Sequence, residues 1–266
     1  MKDVPITEST THEIVARLRS AGCVFAEDEA ALLAEAAATE SELESLVRRR
    51  VAGEPLEVIL GWAEFAGLRI AVEPGVFVPR FRTAFLVAQA VDLARELDRE
   101  HPLIVDLCCG TGAMGAAVLG ALPAAEVYAA DVDPDAVRVA RRNLPPGRVF
   151  EGDLYDALPQ ELKGRIDILV ANAPYVPTDE IAMMPSEARD YEHRVALDGG
   201  IDGLDIQRRV AAAAPGWLRP GGYLLVETSV LQAPTSSAVF LDSGLIPRVL
   251  HSDDHDATVV IGRKPE

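Results

Sequence analysis

The sequence predicts an α/β protein, a parallel doubly wound sheet preceded by a small helical domain and a β-hairpin. Three observations carry that expectation. From Leu103 onward, short, mainly apolar runs alternate with stretches of helical spacing. Strands buried on both faces and separated by helices are how a parallel sheet reads in sequence. Before Leu56 the apolar residues fall at three- and four-residue spacing with acids on the opposite face, the pattern of amphipathic helices. Between these regions, apolar and polar residues alternate around a central turn, as in a hairpin.

In chain order, helices are expected around Ile14–Leu18, Ala30–Ala38 and Ser41–Val51, with Ser41 and Glu44 forming a capping box at the third. Arg48, Arg49 and Arg50 occupy that helix's last turn, where cations oppose the negative end of the helix dipole. A basic docking patch is the alternative reading. LEVILGWAEFAGLRIAVE, residues 56–73, is read as the hairpin. The strands expected next are Leu103–Leu107, Val127–Ala130, Arg148–Phe150, Ile166–Ala171 and Tyr223–Val226. The helices are Ala113–Leu122, Pro134–Asn143, Leu204–Ala213 and Ala233–Ser243. Asp133 before Pro134 is a good helix opening, a capping carboxylate followed by a residue that needs no N–H partner. The final IPRVLHSDDHDATVVIG is read as two strands joined by a polar turn. The expected domains are 1–55 (helical), 56–78 (hairpin linker) and 79–266 (α/β).

Composition bounds the function. The chain has 266 residues, 49% hydrophobic and 25% charged, which suits a globular core and excludes generalised disorder. A net charge of −17 opposes retention of nucleic acid by phosphate neutralisation. MKDVPITEST lacks the apolar stretch of a secretory signal, and no apolar run is long enough to span a bilayer. Cys23, Cys108 and Cys109 are an odd set without C-x-x-C spacing, as expected of reduced thiols. The expected setting is the cytoplasm, with no membrane association and no direct nucleic-acid binding.

The first expected strand of the sheet runs into IVDLCCGTGAMG. A glycine turn between strand and helix lets backbone N–H groups approach a ligand closely. Gly110, Gly112 and Gly115 spell G-x-G-x-x-G, a weak signal alone. Asp131 ends the next strand, 19 residues after Gly112, where a carboxylate can accept both hydroxyls of a ribose. In EGDLYDAL, Asp153 either accepts from an adenine amino group or caps a short helix, and Leu154 can pack on the base. Together these strand ends describe a crevice for an adenosine-like ligand, either NAD or S-adenosyl-L-methionine.

The tetrapeptide Asn172-Ala173-Pro174-Tyr175, 62 residues after Gly110, separates the two. A dehydrogenase needs no such group, whereas methyl transfer to a planar nitrogen does. Its delocalised lone pair attacks a sulfonium methyl poorly. The Asn172 side-chain oxygen and the Ala173 carbonyl can hold its two N–H bonds, orienting it and stabilising the positive charge that develops. Tyr175 can stack on a flat acceptor.

On these residues the chain resembles the protein N(5)-glutamine methyltransferase family, whose best-known members modify the Gly-Gly-Gln glutamine of peptide chain release factors. The resemblance runs through PGVFVPRFRTAFLV, VDLCCGTGAMG, AADVDPDAV, EGDLYDAL, NAPYVP, DYEHRVALDGGIDGLD and PGGYLLVETSVLQ. It implies a Rossmann-like class I methyltransferase sheet, S-adenosyl-L-methionine as cofactor and a protein substrate with an exposed glutamine. The cofactor contacts expected are Asp106, Cys108, Cys109, Gly110, Thr111, Gly112, Asp131, Asp153, Leu154 and Asn172. The acceptor contacts are Arg80, Asn172, Ala173, Pro174 and Tyr175, with Asn172, Pro174 and Tyr175 at the reacting nitrogen. Arg80 and residues 190–204 would frame the entrance.

The chain departs from the family pattern in four places. Ala173 replaces a proline, keeping the carbonyl but adding an N–H. Cys108 and Cys109 replace glycine and a small residue, which is harmless provided Cys108 has no positive φ. Phe81, Arg82, Thr83 and Ala84 follow Pro79-Arg80 where proline and an acid are usual. His193 takes a proline's place after Glu192, and the N-terminal domain is short. Substrates other than a protein glutamine therefore stay open: an amino group of a nucleic-acid base, a small molecule, or none at all in an inactive cofactor-binding relative. No metal is expected. The His251, Asp253, Asp254, His255 and Asp256 cluster is read as a polar hairpin tip, and Glu227 as a partly buried acid facing the crevice without catalytic duty.

Overall fold

The computed structural model describes residues 8–97 and 99–266; residues 1–7, the start of the expected first domain, lie outside them. Three helices, α1 (Glu8–Ser20), α2 (Ala26–Ala36) and α3 (Glu40–Val51), enclose an apolar core of their own. Ile14, Leu18, Leu33, Leu43 and Val47 are buried there. The cap of α3 is not Ser41 with Glu44. Thr39 accepts from the Glu42 N–H at 3.1 Å, and the Glu42 carboxylate takes the Ala38 N–H at 2.6 Å. The box lies two residues earlier, because Glu44 pairs with Arg17 at 2.6 Å. Arg50 does more than oppose a dipole. It is buried, bound to Glu29 at 2.6 Å and to Glu187 at 2.5 Å, and so ties the helical unit to the short helix Ser186–Arg189.

The expected hairpin is half right. Leu56–Leu60 forms a short helix, α4, closed by Gly61 at φ 78°, and only Trp62–Phe65 (β1) and Leu68–Ala71 (β2) pair as strands. Alternation hid the helix, because Ile59 turns back onto the helical core. A second element went unread. Thr83–Glu96 is a helix, α5, burying Leu86, Val87, Ala90, Val91, Leu93 and Ala94. Its i, i+3, i+4 spacing was in the sequence, but no side-chain cap announces its start.

The sheet strands are β3 (Leu103–Leu107), β4 (Glu126–Asp131), β5 (Val149–Glu151), β6 (Ile166–Ala171), β7 (Leu218–Thr228), β8 (Ile246–Ser252) and β9 (Ala257–Arg263). Their order is β5-β4-β3-β6-β7-β9-β8. The first five run parallel, and the β8–β9 hairpin adds antiparallel to β7. All residues of β3 and β6 are buried, as a sheet covered on both faces requires. Ile104, Val127, Ile168 and Leu225 face one apolar layer; Val105, Ala130, Leu169 and Leu224 face the other.

Helices α6 (Ala113–Ala121), α7 (Pro134–Asn143), α8 (Ser186–Arg189), α9 (Asp205–Trp217) and α10 (Ala233–Asp242) complete the described chain. Helix α7 opens as its sequence says, with the Asp133 carboxylate accepting from Asp135 N at 2.9 Å. Because β4 and β6 flank β3 on opposite sides, the chain reverses direction across the sheet between β3 and β6. Ligands in such sheets bind at the carboxyl ends of those strands.

Candidate active site

Leu107 of β3 lies opposite Ala171 of β6 and Ala130 of β4. The residues that follow, Cys108, Asn172 and Asp131, are therefore delivered side by side at one sheet edge. They open on a cavity of about 600 Å³. Of the residues singled out from sequence, Arg80, Cys108, Cys109, Gly110, Thr111, Asp131, Asp153, Leu154 and the whole Asn172–Tyr175 tetrapeptide line it. Asp106 and Gly112 do not form its wall. Asp106 is fully buried beneath the glycine turn. Gly112, at φ 75°, packs so tightly on α7 that a Cβ would stand 2.9 Å from Leu144.

The donor side is held by carboxylates gripping backbone. Asp106 Oδ2 accepts from Gly115 N at 3.0 Å, and Asp131 accepts from Gly110 N at 2.8 Å and Asp133 N at 2.9 Å. Burial pushes the Asp106 carboxyl up to about 8, helped by the Asp131 charge, and burial also raises Asp131. The Cys108 and Cys109 thiols are pushed well above their usual range by burial and by the same carboxylates, so they stay neutral and poorly nucleophilic. Cys108 does adopt φ 55°, the conformation the family's glycine takes freely, and Leu154 sits at φ 49°. Backbone strain of this kind gathers at ligand sites. Asp153 neither caps its short helix through its side chain nor stands free, since it pairs with Arg209 at 2.5 Å.

The acceptor side is held by side chains from distant segments. Asn172 Nδ2 donates to the Thr83 hydroxyl at 3.2 Å. The Tyr175 hydroxyl donates to Glu227 Oε1 at 3.1 Å, where Arg82 Nε also donates at 3.0 Å. Glu227 is 1% exposed and stands behind the wall instead of facing the crevice. Burial and the Glu227 charge push the Tyr175 phenol up to about 12. Arg80 reaches the cavity, but its guanidinium is bound to Glu192 at 2.5 Å, and Glu192 also takes the Val78 N–H at 3.1 Å. His193, the proline replacement, puts Nδ1 2.6 Å from Asp133 Oδ2 and donates its N–H to Gly75 O at 2.7 Å. The bonds of Thr83 to Asn172 and of Arg82 and Tyr175 to Glu227 join segments far apart in the chain, so sequence spacing alone does not announce them.

The His251–Asp256 stretch forms the tip between β8 and β9, with His251 bonded to Thr258 and Asp253 at 3.1 Å each. Among the described residues no helix is long and apolar enough to cross a membrane.

Residues 68–186 match the family model described as the methyltransferase small domain. A release factor glutamine methyltransferase of Geobacter sulfurreducens is 38% identical over 221 residues, 82% of this chain and 75% of the relative. The chain belongs to the release factor glutamine methyltransferase family. It is also 38% identical over 203 residues to a 4-amino-L-phenylalanine/4-methylamino-L-phenylalanine methyltransferase of Streptomyces pristinaespiralis, covering 74% of this chain and 69% of that one. Among solved structures, a methyltransferase from Pyrococcus furiosus shares the fold, with a TM-score of 0.54 at 17% identity over 75% of this chain and 90% of that one.

The methyl donor of this methyltransferase is S-adenosyl-L-methionine, and the donor side fits it. A crevice of this volume, a glycine turn whose Gly110 and Gly112 have positive φ, and a carboxylate at the end of β4 suit an adenosine with a charged tail.

Proposed function

We propose that the protein methylates the side-chain amide nitrogen of a glutamine in a protein, in the family's setting the glutamine of a peptide chain release factor. The single observation behind this reading is that Asn172, Ala173, Pro174 and Tyr175 all line the cavity beside the Cys108–Gly112 turn. Bound there, the cofactor supplies an electrophilic methyl. Asp131, Asp153, Leu154, Cys108–Thr111 and Asn172 are assigned to holding it, with Asp106 and Gly112 bracing the turn from behind. The Asn172 oxygen and the Ala173 carbonyl hold the two amide N–H bonds, which fixes the nitrogen in line and offsets the charge it acquires. Pro174 stiffens the turn, and Tyr175 stacks on the planar amide. No strong base is required, because the proton leaves the product cation afterwards. We assign residues 8–55 and the crevice rim at Arg80 to gripping the substrate, and the cytoplasm as the setting.

The test is mass spectrometry of a release factor incubated with the enzyme and cofactor. A gain of one methyl on the Gly-Gly-Gln glutamine is the expected result. The Streptomyces pristinaespiralis relative favours a second reading, methylation of an aromatic amine on a free amino acid. Turnover of such an amine with none of the release factor would select it.

A further inference from the structure

A carboxamide can turn either its oxygen or its NH₂ toward a guest, and only the oxygen can accept an N–H bond from the incoming nitrogen. The Asn172 carboxamide is tethered by a residue outside the tetrapeptide. Asn172 Nδ2 lies 3.2 Å from Thr83 Oγ1. Thr83 is the first residue of α5, 3% exposed, and its own N–H is bonded to Arg80 O at 3.0 Å. The hydroxyl is thus carried on backbone that is itself hydrogen-bonded at the helix start. The preceding residue, Arg82, reaches the other recognition side chain. It shares Glu227 Oε1 with the Tyr175 hydroxyl, at 3.0 and 3.1 Å. One helical turn therefore touches both sides of the acceptor clamp.

We propose that Thr83 is a positioning residue for the transfer: its hydroxyl oxygen accepts from Asn172 Nδ2 and so aims Asn172 Oδ1 into the crevice. Turned the other way, the amide would set its own N–H bonds against those of the acceptor. Those opposed donors would weaken the hold on the reacting nitrogen, and without the Thr83 hydroxyl the carboxamide loses its tether. The proposal rests on the reading of Asn172 as the acceptor's partner, but its first readout does not depend on which substrate is methylated.

The test uses Thr83→Val, nearly equal in volume but without an acceptor, and Thr83→Ser, which restores one. The Asn172 side-chain amide is followed by ¹⁵N nuclear magnetic resonance of the full chain and assigned by its disappearance in Asn172→Asp. Thr83→Val is expected to shift that signal and speed its hydrogen exchange, with Thr83→Ser close to the wild type. On a glutamine peptide, kcat should fall about tenfold in Thr83→Val and recover in Thr83→Ser, while calorimetric affinity for S-adenosyl-L-methionine and the melting temperature stay near wild type. An Asn172 signal unmoved by Thr83→Val overturns the proposal whatever the rate does, and so does a Thr83→Ser protein as slow as Thr83→Val. A shifted signal in an enzyme that methylates no glutamine upholds the positioning role and removes the glutamine reading instead.

Discussion

The two halves of the crevice are built in different ways. On the donor side, carboxylates from β3 and β4 grip backbone N–H groups no more than 21 residues away: Asp106 and Gly115 are nine apart, Asp131 and Asp133 two, Asp131 and Gly110 twenty-one. On the acceptor side, the partners of Asn172, Tyr175 and Arg80 lie 89, 52 and 112 residues away. A site made of local backbone tolerates changes in side chain, as the vicinal cysteines show. A site made of side chains braced at long range depends on every brace, and substrate choice can drift there while the donor pocket stays the same.

That contrast can be broken by substitution. Asn172→Ala should have the largest effect, lowering kcat on a glutamine acceptor by about 10²–10³-fold with a smaller change in cofactor affinity measured calorimetrically. Equal losses in both would mean that the halves are not separable. Asp131→Ala should do the reverse. Losing the carboxylate that holds the Gly110 and Asp133 N–H groups should weaken cofactor binding by about tenfold to a hundredfold, and saturating cofactor should restore much of the rate.

Asp106 gives a pH signature. Its carboxyl is raised in the folded chain to about 8, so the folded state keeps a proton that the unfolded chain releases near pH 4. The cost of burying the charge is absent below the unfolded value, grows as pH rises toward 8 and is constant beyond. Chemical denaturation from pH 4 to 9 should show Asp106→Asn gaining on the wild type across that window; a flat difference would reject the assignment. The smallest effect belongs to Cys108→Gly. A left-handed conformation costs a cysteine about 1–2 kcal/mol, and glycine's extra chain entropy offsets about half of that. The melting temperature should rise by about 2 °C.

The same contrast explains what could be read in advance. The strands from Leu103 to Val226, the Asp133–Pro134 helix start and the glycine turn were legible because each is signalled within a dozen residues. Cys108 could be flagged as a question about φ, but only the structure answers it, at 55°. Leu56–Leu60 was misread because five residues cannot display a helical period. Arg82 and Thr83 could be noted only as departures from a pattern, and Glu227 only as an acid facing the crevice: their partnerships appear once the sheet brings β6 and β7 alongside the start of α5.

One bond crosses the divide. Asp133 caps α7 with one carboxylate oxygen and holds the His193 imidazole with the other, and His193 belongs to the segment between α8 and α9. Two segments distant in the chain are thus buckled to a single carboxylate. Replacing that carboxylate would therefore loosen the start of α7 and the His193 segment together.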